Sequence, residues 1–170
     1  MGATAIIVPF EAADRAVSRW RRAYTTDGAE GVPAHVTLIY PFIDDAELDA
    51  GHVQGLRAVL APYASFDVRF ATFGRFPGPP PVLYLEPHPA QPFLDMINAI
   101  VECFPAYSPF GQFDPLVPHL TVAQINDTRV LQVAETRVAS QLPIATRASE
   151  VHILEHLGTD GWRTRHRIHL

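Results

Sequence analysis

Short runs of β-branched and aromatic residues alternate along this chain with stretches whose apolar positions recur at intervals of three and four. Residues 3–10, ATAIIVPF, predict a strand, and residues 11–24 set Ala13, Val17, Trp20 and Tyr24 at helical spacing. A polar, glycine-containing stretch from Thr25 to Gly31 reads as a loop, followed by a second strand, VPAHVTLIYPF, closed by Pro41. Between residues 45 and 61, Leu48, Val53, Leu56, Val59 and Leu60 follow a helical pattern opened by acids that suit a helix N-terminus. FDVRFATFG, residues 66–74, alternates like a half-buried strand and stops at Gly74; RFPGPPP reads as a loop and VLYLEP as the next strand. The strongest helical signal covers residues 91–104, where Phe93, Met96, Ile97, Ile100 and Val101 line one stripe.

After a connection punctuated by Pro and Gly, VPHLTVAQI predicts a further strand, and Asp127 or Thr128 can cap a helix running to about Gln141. A short strand near Ile144 and two longer ones, EVHILEHLG and WRTRHRIHL, complete the chain, the last two joined around Asp160 and Gly161. Helices alternate with strands, but the hairpin signals demand antiparallel neighbours, so the expected class is α+β. A shift of 84 residues lays His35-Val36-Thr37 on His119-Leu120-Thr121, and Phe66 to Gly74 on Glu150 to Gly158. The same shift lays the strand at Val82 on the last strand at His166, with Pro33 and Pro118 just upstream of the two histidines. The expected architecture is one domain over residues 1–170, built as two intertwined, pseudo-twofold lobes.

Composition narrows the chemistry. With 170 residues, 48% hydrophobic and 18% charged, the chain is long enough for a real core. A lone cysteine, Cys103, allows neither an intrachain disulfide nor a thiolate zinc cluster. No apolar run is long enough to span a bilayer, and Ile6 stands where a myristoylation signal wants Ser or Thr, so a cytoplasmic protein without a membrane partner is expected. The net charge of -5 argues against a long nucleic-acid footprint but allows a short anionic ligand; all basic residues are Arg, a compositional bias given no functional weight. A monomer is expected.

His-x-Thr is a weak pattern alone. On a strand, however, residues two apart share a face, so His35 with Thr37, and His119 with Thr121, each present an imidazole beside a hydroxyl while the intervening residues turn to the core. Two such pairs facing across a cleft suit a displacement at a phosphodiester. One neutral ring takes the proton of the attacking group, the other, protonated, serves the leaving oxygen, and the two hydroxyls hold the non-bridging oxygens. Such a scheme calls for no cofactor and no metal.

HVTLIYPF and PHLTVAQ resemble the paired signatures of the 2H phosphoesterases, the superfamily that includes RNA 2',5'-ligase-like proteins and 2',3'-cyclic nucleotide phosphodiesterases, and the resemblance extends over nearly the whole chain. It implies two pseudo-symmetric antiparallel sheets with outer helices and metal-independent hydrolysis or ligation at a 2',3'-cyclic or 2',5'-linked phosphate. It also implies His35 and His119 as the acid–base pair, with Thr37 and Thr121 binding phosphate. The implied partner is a nucleotide or RNA terminus. Some ligase-like members carry an Arg five residues after the second His; here Gln124 stands there. The classes kept beside cyclic phosphodiester hydrolysis are 2',5' RNA ligation, nucleotide or RNA-end binding without turnover, and a metal-dependent hydrolase using the C-terminal histidines.

Secondary positions follow. Tyr40 and Phe42 fall opposite His35 and are assigned to core packing. Phe10 and Tyr84, on strands expected near the cleft, can stack on a base, although packing is the preferred reading. Arg75, beside the stiff loop 76–81, is the cationic candidate. His152 and His156 lie four apart on a strand pattern without a third ligand, so metal is not assigned to them or to His166 and His169. His52 and His88 are expected to be exposed, and Cys103 to be a small core residue.

Overall fold

The computed structural model describes residues 2–109 and 115–170. Its strands are β1 (Thr4–Pro9), β2 (His35–Ile39), β3 (Phe66–Phe76), β4 (Val82–His88), β5 (Leu120–Gln124), β6 (Ile144–Ala148), β7 (Glu150–His156) and β8 (Trp162–His169). Its helices are α1 (Glu11–Tyr24), α2 (Thr26–Ala29), α3 (Ala50–Leu60), α4 (Gln91–Cys103) and α5 (Thr128–Ala139). The strands form two four-stranded antiparallel sheets, ordered β2-β1-β7-β8 and β5-β4-β3-β6, giving the α+β architecture expected from the alternation of patterns. Among the described residues no helix is long and apolar enough to cross a membrane. The connection read between α4 and β5 includes residues 110–114, which lie outside the described residues.

Each sheet turns alternate residues inward: Ile6, Val8, Val36, Leu38, Val151 and Ile153 from the first, Val68, Phe70, Leu83, Leu85, Leu120 and Val122 from the second. They meet in one apolar cluster. The helices are exchanged between the sheets: α1, which follows β1 of the first sheet, packs on β5 and β6 of the second, while α4, which follows β4 of the second, packs on β2 of the first. Phe10 sits at the junction, edge-on to Phe70 and Phe93 at 5.1 and 6.2 Å.

Several boundaries differ from the sequence expectation. Thr25, within the expected loop, caps the single turn of α2 by accepting from the Gly28 amide at 3.0 Å. Helix α3 starts only at Ala50, because Asp49 and His52 close a reciprocal capping box there. Strand β3 runs two residues past Gly74, since Arg75 and Phe76 still pair with Leu83 and Val82, and only residues 77–81 remain as the connection. The offset of 84 residues places β3 and β7 alike, third in their sheets, but not β4 and β8: β4 is an interior strand whose positional counterpart is β1, and β8 is an edge. Tyr40 lies beyond the end of β2 with 53% of its surface exposed, edge-on to Trp162, whereas Phe42 is buried as expected. Cys103, at the last turn of α4, is exposed rather than in the core.

Candidate active site

β2 and β5 are edge strands of different sheets, and they lie against each other. This contact brings together the two His-x-Thr motifs, the first at the start of β2, the second with His119 immediately ahead of β5. Val36, Leu38, Leu120 and Val122 are buried in the core, so the alternate residues His35, Thr37, His119 and Thr121 take the opposite face and remain half-buried.

The two imidazoles are held alike. Nδ1 of His35 donates to the Pro33 carbonyl at 2.8 Å, and Nδ1 of His119 to the Val117 carbonyl at 2.7 Å. A carbonyl oxygen can only accept, so each Nδ1 carries a proton, and Nε2 of the neutral ring is the free, basic nitrogen. Burial is the largest influence on both rings and disfavours their charged forms. For His35 the nearby Arg21 charge lowers the pKa further and His119 adds to this, against the opposing effects of Asp27 and the Pro33 hydrogen bond, leaving it at about 4. His119 is also lowered, with the Val117 hydrogen bond opposing. Both rings are therefore held in the neutral form at neutral pH.

The surroundings of the rings differ. His119 packs edge-on to Phe76 at 4.9 Å and against Tyr84 at 5.4 Å. Tyr84 lies directly opposite Gly74 on β3, where an added Cβ would come within 2.3 Å of its ring; a side chain at residue 74 would displace the aromatic support of His119. His35 instead faces charge: its Nε2 is 3.8 Å from Oδ2 of Asp27, which pairs with Arg21 Nη2 at 2.7 Å. Arg21 also donates from Nη1 to the Thr121 carbonyl at 2.8 Å. Arg21 and Asp27 are the site residues that sequence reasoning missed. A signal for the first existed, because Arg21 falls four residues after Val17 on the buried stripe of α1.

The remaining candidates separate clearly. Phe10, 1% exposed, belongs to the core and does not reach the cleft. Tyr84, 6% exposed, supports His119 with its ring. Arg75 lies opposite core Leu83, on the face of β3 away from Tyr84, and pairs with Glu135 of α5 instead of lining the cleft. Gln124 closes β5, exposed, opposite Val82. His152 and His156 engage different acids, Glu150 at 2.7 Å and Glu30 at 3.2 Å, and His169 lies 3.5 Å from Glu150. Among the described residues no group of three or more His, Cys, Asp or Glu is arranged to hold a metal ion. His88 is exposed, while His52 is half-buried in the α3 capping box.

A sequence model of the 2'-5' RNA ligase superfamily matches residues 8–160. No curated protein matches the chain. Among solved structures, Escherichia coli LigT complexed with 3'-AMP superimposes with a TM-score of 0.64 at 15% identity, over 99% of this chain and 97% of LigT. A protein of Thermus thermophilus gives 0.62 at 16% identity, over 99% and 97% of the two chains. A structure described as a phosphoesterase gives 0.62 at 15% identity, over 100% and 99%. Other LigT structures contain ATP, NADP+ or phosphate. At these identities the structural matches establish the shared fold.

Proposed function

Because the chain belongs to the 2'-5' RNA ligase superfamily, we propose that it is a phosphoesterase that opens a 2',3'-cyclic phosphate on a small nucleotide or at an RNA end, using His35 and His119 and no metal ion. The observation that carries this reading is the matched pair of imidazoles on adjoining edge strands, each fixed through Nδ1 with its Nε2 free. Hydrolysis at phosphorus needs a base on one side and an acid on the other, and two neutral rings of which the substrate's own charge protonates one supply both.

In this scheme a water oxygen bonds to phosphorus as one imidazole accepts its proton. The bond from phosphorus to one ribose oxygen breaks, and the second, protonated ring delivers a proton to that oxygen. The product is a nucleoside monophosphate, and the two rings have exchanged protonation states, to be restored through solvent. Thr37 and Thr121, whose hydroxyls make no hydrogen bond among the described residues, are free to donate to the non-bridging oxygens and stabilise charge developing there. The bound nucleotides of the LigT structures support a ligand of this size, and the net charge of -5 favours a terminus over a long polyanion.

Incubation with each 2',3'-cyclic nucleotide, with and without EDTA, tests the reading. The expected result is conversion to a monophosphate that persists in chelator. Loss of turnover in EDTA would assign the chemistry to a metal. Tight binding without product would make the protein a nucleotide-binding relative, and joining of 2',5' ends in place of ring opening would make it a ligase.

A further inference from the structure

We propose that Arg21 and Asp27 form a positioning pair for this site: Arg21 fixes the Asp27 carboxylate beside His35 while holding the Thr121 main chain, so that one buried guanidinium sets the charge next to one motif and the placement of the other. The inference rests on the phosphoesterase reading and adds two positioning residues to it.

Arg21 is an expensive residue to bury. It is 1% exposed, and its Nε is buried without any hydrogen-bond partner. A guanidinium taken out of water with an unsatisfied N–H costs more than an apolar side chain of the same size on the same stripe, so packing alone does not account for it. What the charge does is visible in its contacts. Nη2 binds Asp27 Oδ2 at 2.7 Å and reaches the Val32 carbonyl at 3.4 Å, and Nη1 binds the Thr121 carbonyl at 2.8 Å. A single side chain thereby ties the carboxylate next to one motif to the backbone of the other.

Asp27 keeps 35% of its side chain exposed, and its Oδ2 stops 3.8 Å from Nε2 of His35, too far for a direct hydrogen bond and suited to an oxygen lying between. A carboxylate there favours the imidazolium form of His35 from the side of Nε2, while Nδ1 is held by the Pro33 carbonyl. His119 has no such partner among the described residues; its neighbours are the rings of Phe76 and Tyr84. Alike at Nδ1, the two imidazoles are unlike at Nε2. The charged groups facing His35 are Arg21 from α1, Asp27 from α2 and His119 ahead of β5. Its partner on β1 is uncharged Pro9, and α4 covers β2 with Phe93, Met96, Ile97 and Ile100.

The test follows the His35 imidazole by NMR titration, and the acid limb of kcat/KM against pH, in the wild type, Asp27→Asn, Arg21→Met and Arg21→Lys. Removing the carboxylate should lower the His35 midpoint and move the acid limb down. Removing the guanidinium should raise the midpoint and move the limb up. Arg21→Lys should leave the midpoint near that of the wild type while lowering the rate about a hundredfold, because a point charge cannot hold both partners. Opposite shifts from two neighbouring substitutions are not what a merely structural pair would give. Unmoved midpoints, or shifts of one sign, would overturn the pairing. If Arg21→Met does not fold, Asp27→Asn and Arg21→Lys decide by the same criteria. Should the wild type lack turnover, the phosphoesterase reading falls, while the titration still decides whether the pair acts on His35.

Discussion

Nη1 of Arg21 donates to the main-chain oxygen of Thr121 at 2.8 Å, linking residues 100 positions apart. β2 and β5 share no ladder hydrogen bonds, because each ends a different sheet, so the separation of the two motifs depends on contacts like this one and on the packing of α1 against β5. The site is therefore sensitive to residues that never touch a substrate.

The two histidines are expected to fail independently. His35→Ala and His119→Ala should each abolish ring opening while leaving the circular-dichroism spectrum unchanged, and a single variant retaining near-wild-type turnover would remove that ring from the mechanism. Thr37→Ala and Thr121→Ala should be milder, about ten- to a thousandfold in kcat, by comparison with loss of one oxyanion donor.

Stability should fall on mild acidification, and His35 should account for part of the fall. Its pKa of about 4 in the folded protein lies below the ordinary 6.5, so the unfolded chain binds the proton more readily. The stabilisation from keeping this ring neutral is fully present above pH 6.5 and is lost as pH drops towards 4, amounting to about 3 kcal/mol across that window. Urea denaturation at pH 4.5 and 7.5 should show a smaller difference in His35→Ala than in the wild type; equal differences would contradict the assignment.

Gly74→Ala should damage both stability and turnover. The new methyl meets the Tyr84 ring at 2.3 Å, and that ring is held between Phe76 and His119. A cost of about 1–3 kcal/mol is expected for the overpacking. Adding Tyr84→Leu should restore much of the melting temperature but not the rate, since it gives the methyl room and removes the support of His119. Additive losses in the double-mutant cycle would show that the contact is not the cause.

Phe10→Leu separates core from ligand contact. With Phe10 packed on Phe70 and Phe93, the substitution should lower the melting temperature, with Phe10→Ala costing about 3–5 kcal/mol. KM for a cyclic nucleotide should be unchanged in Phe10→Leu; a rise in KM without loss of stability would return Phe10 to the cleft.

Much of this molecule is legible from its pattern of residues because the relevant forces are local. The stripe Phe93, Met96, Ile97 and Ile100 lies buried along α4, and alternation about Val36 and Leu120 places both motifs on one kind of face. What escaped the pattern depends on partners distant in the chain. Gly74 looks like a strand end, yet pairing with β4 carries β3 on to Phe76. Arg75 next to a proline-rich loop suggests a cleft cation, but its place opposite Leu83 sends it to Glu135 on α5. Asp27 stands in a polar stretch with nothing local to distinguish it, and only the fold sets it beside His35. Tyr40 illustrates the limit of alternation, which ceases to govern once β2 stops at Ile39.

The exchange of α1 and α4 between the sheets bears on how the molecule assembles. Each sheet draws strands from both sides of the segment 77–81, so a fragment ending there would leave apolar strands bare and the imidazole of its motif without an opposite number. Folds that depend on contacts of wide sequence separation form slowly. β2 and β5 thus come together only once strands from both parts of the chain are in place.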